Sequence, residues 1–338
     1  MRTSPRPLPH LLKVLAPVGC VGAIVTSPPA HAAEGGASFY LLGSGGPEAA
    51  ILPPVQGVFF DNTFYHYVGS ASADKQFVIG GNLVAGLHGK INADFVTVLW
   101  VPSTSFLGGT LGLGTALPVG RPDVSVSAVI TGPRGQPVTI SRSDAATIVA
   151  DPVLTGEASW NLAKDLHAAL ATTVNVPIGH YREGELANLS FHRWIIDESA
   201  ALTWHEARSG WDVSTKVGFT FNGTDHFTRY RSGTDFHIEG SVEKAFSKAF
   251  SAGLQVYHLS QISGDSGSGA VLGANKGRVT GLGPTAAINI AVGKTPVSFR
   301  VRYFNEFGVK RRLDGSAFFF SLDLPLAMKL PASAVHAH

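Results

Sequence analysis

The sequence of 338 residues contains a single cysteine. That residue, Cys20, lies within the first 32, so the rest of the chain has neither a disulfide framework nor thiol chemistry. Charge is scarce too, at 15% of residues against about 25% in an ordinary soluble domain. Beyond residue 32 no stretch approaches the roughly 18 apolar residues of a membrane helix, which leaves strands as the means of crossing a membrane if the chain crosses one. With 39 glycines and 20 prolines, a mainly helical soluble protein is equally disfavoured. Positive charge is not in surplus either. Taking Arg2, Arg6 and Lys13 from the 26 basic residues leaves 23 against 24 acidic ones, which excludes a basic surface for nucleic acid.

What the chain does have begins with an export pattern. Arg2, Arg6 and Lys13 precede the apolar stretch Val14 to Thr26, and Ala30-His31-Ala32 supplies a small-residue cleavage site, so residues 1–32 read as a signal peptide cut after Ala32.

Thereafter hydropathy alternates with a period of two. Over residues 82–101 one parity carries Leu83, Ala85, Leu87, Gly89, Ile91, Ala93 and Phe95, the other Asn82, His88, Lys90, Asn92 and Asp94. Alternation marks strands with one apolar and one polar face. A soluble sandwich buries the apolar face, whereas a membrane barrel turns it to lipid and lines a lumen with the polar one. Period two alone does not separate these.

Segments of this kind fall near 58–68, 82–101, 109–131, 150–163, 167–178, 194–206, 211–222, 234–244, 249–262, 277–292, 297–307 and 315–326, twelve in all. Gaps after even members are short, as at 164–166, 207–210, 245–248 and 293–296, while those after odd members are long, as at 69–81, 132–149, 179–193, 223–233 and 263–276. The gap 102–108 is intermediate. An even strand count with loops sorted by length predicts an all-β fold, a single antiparallel transmembrane β-barrel. Trp160, Trp204 and Trp211 stand beside short turns on the apolar parity, as an inner aromatic girdle requires. Tyr65, Tyr67, Tyr257 and Tyr303 are expected to form a second girdle toward the long loops. Trp100 also stands near a turn but on the polar parity, so either a bulge intervenes or the register assigned there is off.

Several strings resemble one family. They include Gly35-Gly36-Ala37-Ser38-Phe39-Tyr40-Leu41-Leu42-Gly43, Ile79-Gly80-Gly81-Asn82-Leu83-Val84-Ala85-Gly86, Asn175-Val176-Pro177-Ile178-Gly179 and Leu186-Ala187-Asn188-Leu189-Ser190-Phe191-His192-Arg193-Trp194. Tyr230-Arg231-Ser232-Gly233-Thr234-Asp235-Phe236-His237 and Lys294-Thr295-Pro296-Val297-Ser298-Phe299-Arg300-Val301-Arg302-Tyr303 continue the likeness. The chain resembles the outer-membrane proteins named for the meta-pathway of phenol degradation, including their sphingosine-linked subgroup. That resemblance implies a transporter-like barrel for aromatic or lipid-like compounds in the bacterial outer membrane, and it implies no catalytic residues.

Enzyme-like strings lack their contexts. Gly264-Asp265-Ser266-Gly267-Ser268-Gly269 resembles a serine-protease nucleophile loop without an upstream base, and reads as an external loop. Gly293-Lys294-Thr295 lacks the leading glycine of a phosphate loop, since Ile288 stands there, and reads as a turn. Ser190 and His192 have no evident oxyanion partner. The 13 histidines show no metal-ligand spacing, so neither a metal nor a cofactor is expected.

The polar parity collects charges of both signs, which are expected to pair across a narrow interior. Lys90, Asp94, Asp235, His237, Glu239, Arg278, Arg300, Arg302 and Glu306 are the lumen candidates, with Glu306, Asp94 and Glu239 as partners for the two arginines. Residues 33–55, carrying Phe39 and Tyr40, are too apolar to dangle in water. They are expected to fold into the barrel's lower half as a gate or plug, the alternatives being an extra strand or a clamp on the rim. The division is then signal 1–32, plug segment 33–55, barrel 56–326 and tail 327–338. The expected surroundings are outer-membrane lipid and lipopolysaccharide, the barrel assembly machinery and a small hydrophobic substrate, with no nucleic acid and no enzymatic reaction. A structural or surface-interaction barrel without transport is the alternative.

Overall fold

The computed structural model describes residues 36–131 and 137–329, and among these there are strands but no α-helix. The expected signal, 1–32, and residues 330–338 of the expected tail lie outside the described residues.

Twelve long antiparallel strands form the wall. They are β1 (Gly57–Ser70), β4 (Leu87–Phe106), β5 (Gly109–Thr131), β8 (Val153–Ala163), β9 (Leu166–Asn175), β10 (Ile195–Glu206), β11 (Trp211–Asn222), β12 (Asp235–Ala245), β13 (Phe250–Gln261), β14 (Arg278–Val292), β15 (Thr295–Lys310) and β16 (Asp314–Met328). Each pairs with its neighbours in this order, and β1 closes the ring on β16, so the wall has no free edge. Closure satisfies every ladder where lipid offers no hydrogen bond. Four shorter strands stand apart from the ring: the hairpin β2 (Gln76–Ile79) with β3 (Asn82–Ala85), and β6 (Pro137–Ala145) and β7 (Ile148–Val149) against the upper part of β5.

Loop sorting follows the reading at most connections, the exception being β15 to β16, which only residues 311–313 join at the long-loop end. Leu107–Gly108, Lys164–Asp165 and Gly293–Lys294 are two-residue turns at one end. Leu107 and Gly108 both have positive φ, 47° and 82°, the geometry of a turn that matches strand twist. The gap 102–108 thus shrinks to a tight turn, because β4 runs on to Phe106. The reading of 82–101 as one strand gives way in the opposite sense: Gly86 breaks it, and Asn82–Ala85 turns back on β2.

Large apolar side chains cover the outer face, where Leu170, Leu202, Val213, Leu254 and Ile288 are all exposed, as a lipid-facing band requires. Trp100, Trp204 and Trp211 stand exposed near the tight turns. Trp100 needs no bulge. On β4 the two faces are the reverse of the expectation: Leu87, Gly89, Ile91, Ala93 and Phe95 line the interior, whereas Val96 and Trp100 face out. Lys90 and Asp94 therefore project outward in the upper half of this strand. There Asn92, on the same face, bonds His66 of β1 across 2.7 Å. Of the expected tyrosine girdle only Tyr303 faces out. Tyr67 and Tyr257 are buried inside, and Tyr65 packs against their cluster.

Residues 36–56 form no strand and descend through the barrel, from Gly36 beside Phe77 and Arg312 at the long-loop end to Leu52 beside Leu99 and Gly112 near the tight turns. Lower half is too narrow a description, since Tyr40 and Leu42 share a buried cluster with Tyr67, Tyr257 and Phe304.

Candidate functional site

Along β10–β16 the interior wall is largely polar below an apolar cluster toward the long loops, and it grips the N-terminal segment. Gly43 is the centre of that grip. Its N–H donates to Glu239 Oε1 at 2.7 Å, and its carbonyl accepts from Arg302 Nη1 at 2.9 Å and Gln255 Nε2 at 3.2 Å. A Cβ there would lie 2.6 Å from the Phe304 ring, and φ is +90°, so only glycine brings the backbone this close to the wall. Lower down, Ala50 donates to Thr203 Oγ1 and accepts from Ser159 Oγ, while the Glu48 N–H reaches Asp212 and Ser214. Backbone groups that enter a barrel must be satisfied by it, and the inward polar parity supplies the partners.

Tyr40 is clasped by side chains. Its ring stacks on His237 at 3.6 Å between centroids, with Lys216 5.6 Å above it. His237 Nε2 lies 2.9 Å from Asp197 Oδ2, which also accepts from Thr220 Oγ1. Phe39 instead meets the edge of Phe191 at 5.9 Å, on the side away from the charged wall.

Arg300 and Arg302 both point inward, but their partners differ from those expected. Arg300 pairs with Glu243, bonding both of its carboxylate oxygens and Thr285 Oγ1. Arg302 spends its donors on Gly43 O, Ser44 O and Ser321 Oγ. Glu306 takes the hydroxyls of Tyr67 at 2.9 Å and Tyr257 at 3.0 Å, together with the Gly315 N–H. Asp235 is buried at the upper end of β12, opposite Gln261. Arg278 is not brought to the interior. Regular alternation along β14 places Val279 inward, wholly buried, and leaves Arg278 exposed.

The opposite side of the interior is apolar and open. A cavity of about 290 Å³ separates Phe39–Leu42 from Tyr65, Ile91, Ala93 and Phe95 of β1 and β4 and from Pro118, Pro122 and Val124 of β5. Leu186, Leu189 and Phe191 of the β9–β10 loop roof it, and Asp151, Asn175, Arg193, Glu306 and Arg312 supply its polar groups. Asp151 builds the roof. Its carboxylate accepts from Asn175 Nδ2 and from the N–H groups of Gly179, Phe191 and His192. Asp144 of β6 ties the same loop through Arg182 Nη1 at 2.8 Å and the Ala187 N–H at 2.9 Å. Burial works to raise the Asp144 carboxyl, but the Ala187 and Arg182 bonds outweigh it and hold the group below its ordinary value. Sequence reading missed Glu243, Asp151 and this roof. The inward prolines and small residues of β4 and β5 were the available signal, since they leave room where larger side chains would fill it.

A twelve-stranded closed barrel with an apolar outer band and a threaded lumen is the architecture of a bacterial outer-membrane β-barrel. More particularly, residues 73–322 match the family described as "Putative MetA-pathway of phenol degradation", and the chain belongs to that family. The fold is similar to that of the COG4313 outer membrane channel from Pseudomonas putida F1, with a TM-score of 0.64 at 17% identity, covering 83% of this chain and 99% of that one. A FadL homologue from Pseudomonas aeruginosa matches more distantly, with a TM-score of 0.35 at 12% identity over 79% of this chain and 88% of that one. No functionally curated protein matches the sequence.

Proposed function

We propose that this channel passively admits small hydrophobic compounds, aromatic or lipid-like, and that residues 36–56 are its gate. The observation that carries the reading is the apolar cavity between that segment and β1, β4 and β5. A volume of about 290 Å³ is at the small end of ligand pockets and suits a single substituted ring or part of an alkyl chain. Arg193 and Arg312 are among its polar groups and would orient a hydroxyl or carboxylate. The family's name, with its reference to phenol degradation, supports the aromatic member of this class.

Influx of labelled phenol and of a labelled long-chain fatty acid, measured in a strain lacking the chain and complemented with parent or Ile91→Arg, tests the reading. Ile91 lines the cavity, so the arginine fills and charges it while leaving the outer face untouched. Restored influx with the parent and a several-fold loss with Ile91→Arg are expected for at least one probe. Influx unchanged by complementation would favour a barrel whose loops, not its lumen, carry the function.

A further inference from the structure

At the tight-turn end of the lumen three donors from distant parts of the chain meet. Glu48 lies on the N-terminal segment, His205 on β10 and Asp212 on β11, and one donor atom from each lies within 4.8 Å of the others. His205 Nδ1 is 3.1 Å from Asp212 Oδ2 and 3.9 Å from Glu48 Oε1. The first distance suits a hydrogen bond, but the second is too long for one. Both bracket the spacing of about 3.3 Å between donor atoms around a tetrahedral ion with bonds of about 2.0–2.1 Å. We propose that Glu48, His205 and Asp212 form a site for a divalent transition-metal ion of the zinc class.

The surroundings prepare these donors. Asp212 Oδ1 is held by Ser214 Oγ at 2.7 Å and by the Glu48 N–H at 3.2 Å, which leaves Oδ2 directed at His205. Outer hydrogen bonds of this kind fix the direction of a ligating carboxylate. The two carboxylates carry the charge that a divalent ion neutralises, the imidazole adds a nitrogen donor, and nearby Arg300 is already engaged by Glu243. The His205 side chain is 32% exposed and that of Glu48 55%, so an ion reaches them from the mouth, and a fourth position stays open to water. Among the described residues this is the one place where three such donors converge. Sequence spacing hides it, because Glu48 precedes Asp212 by 164 residues.

An ion bound here ties the N-terminal segment to the wall, so it stabilises the closed state. That consequence rests on the reading of the segment as a gate, whereas the site itself does not.

The test uses the full chain refolded in detergent, with Co2+ as a spectroscopic probe and Zn2+ as competitor. The parent should develop a visible d–d band that zinc abolishes at one equivalent. His205→Ala and Glu48→Gln should each weaken binding by more than roughly the tenfold that loss of an outer partner costs. Glu48→Gln alters no strand, so its result stands even if His205→Ala assembles poorly, and histidines elsewhere contribute equally to parent and variants. Equal cobalt spectra in all three proteins would overturn the site. Planar-bilayer recordings with and without zinc then separate the two claims: fewer openings in the parent alone sustain the tie, and zinc binding with unchanged openings sustains the site but overturns its role in gating.

Discussion

The two sides of the lumen are built from the same kind of strand and do opposite things. From β10 to β16 the inward parity is largely polar, apart from the apolar cluster of Leu259, Val279, Phe304 and Phe319 toward the long loops, and much of it bonds the N-terminal segment or a neighbouring strand, as Glu239, Gln255, Arg302 and Ser321 show around Gly43. Toward the long loops the inward parity of β1, β4 and β5 is largely apolar or small, and instead of gripping the segment it stands back and leaves a cavity. The difference is one of directionality. Hydrogen bonds fix one position of the chain they hold, whereas apolar contact tolerates many, so the first wall locates the segment and the second accommodates whatever lies between.

Removing the gripped element breaks this contrast most severely. Deleting residues 36–50 takes away the partners of Glu239, Arg302, Thr203 and Ser159 and leaves the polar wall facing water. Single-channel conductance in planar bilayers should rise several-fold, with the barrel still resistant to denaturation at room temperature in gels. An unchanged current would mean that the segment does not close the lumen.

Next in size is a charge placed on the wrong face. Val301 lies between the inward Arg300 and Arg302 and is 40% exposed on the outer side. An arginine there costs on the order of 2–4 kcal/mol near mid-bilayer, so Val301→Arg should sharply reduce the heat-modifiable, assembled species. Arg300→Ala, one residue away, should still assemble. It leaves the Glu243 carboxylate without its cation, and reversal potentials in a salt gradient should shift toward cation preference. Normal assembly of Val301→Arg would show the faces of β15 to be reversed.

Such a reversal is what β4 teaches. Strand positions, their even number and the sorting of turns were legible because they depend only on period two and on turn residues. Which parity faces lipid was legible for β15, where Arg300, Arg302 and Glu306 share one face, with Phe304 its apolar exception, and Phe299, Val301 and Tyr303 share the other. It was not legible for β4, because a lumen wall that borders an apolar cavity looks in sequence like a lipid-facing one. Trp100 held the correction: it shares the parity of Lys90 and Asp94, which conflicts with an outward-facing tryptophan only on the assumption that polar means inward. Tyr67 and Tyr257 misled for a related reason, since a tyrosine suits a membrane interface and a buried carboxylate equally, and only the fold brings Glu306 to both. The roof was the least legible part, for apart from Arg182 the β9–β10 loop meets Asp144 and Asp151 through backbone groups that carry no sequence signature.

The smallest expected effect concerns that roof, which joins the two walls at the long-loop end. Asp144 holds Arg182 and the Ala187 N–H, and Arg142 pairs with Glu185 of the same loop. Because the folded carboxyl of Asp144 lies below its ordinary value, its contribution is complete above the unfolded value of about 3.9 and is lost as pH falls through the lowered one. Near neutral pH the tie is therefore intact, and mild acidity leaves it so. Asp144→Asn keeps the size and removes the charge, which should make opening of residues 176–194 easier by up to about 1.5–3 kcal/mol, the range for hydrogen bonds to a charged group. Limited proteolysis after Arg182 on folded barrels should be faster in the variant at pH 7 and equal to the parent only in strong acid. If the loop also controls access to the cavity, influx of a hydrophobic probe rises with cleavage susceptibility. Faster cleavage with unaltered influx would separate roof from cavity and leave the contrast between the two walls as the sole determinant of passage.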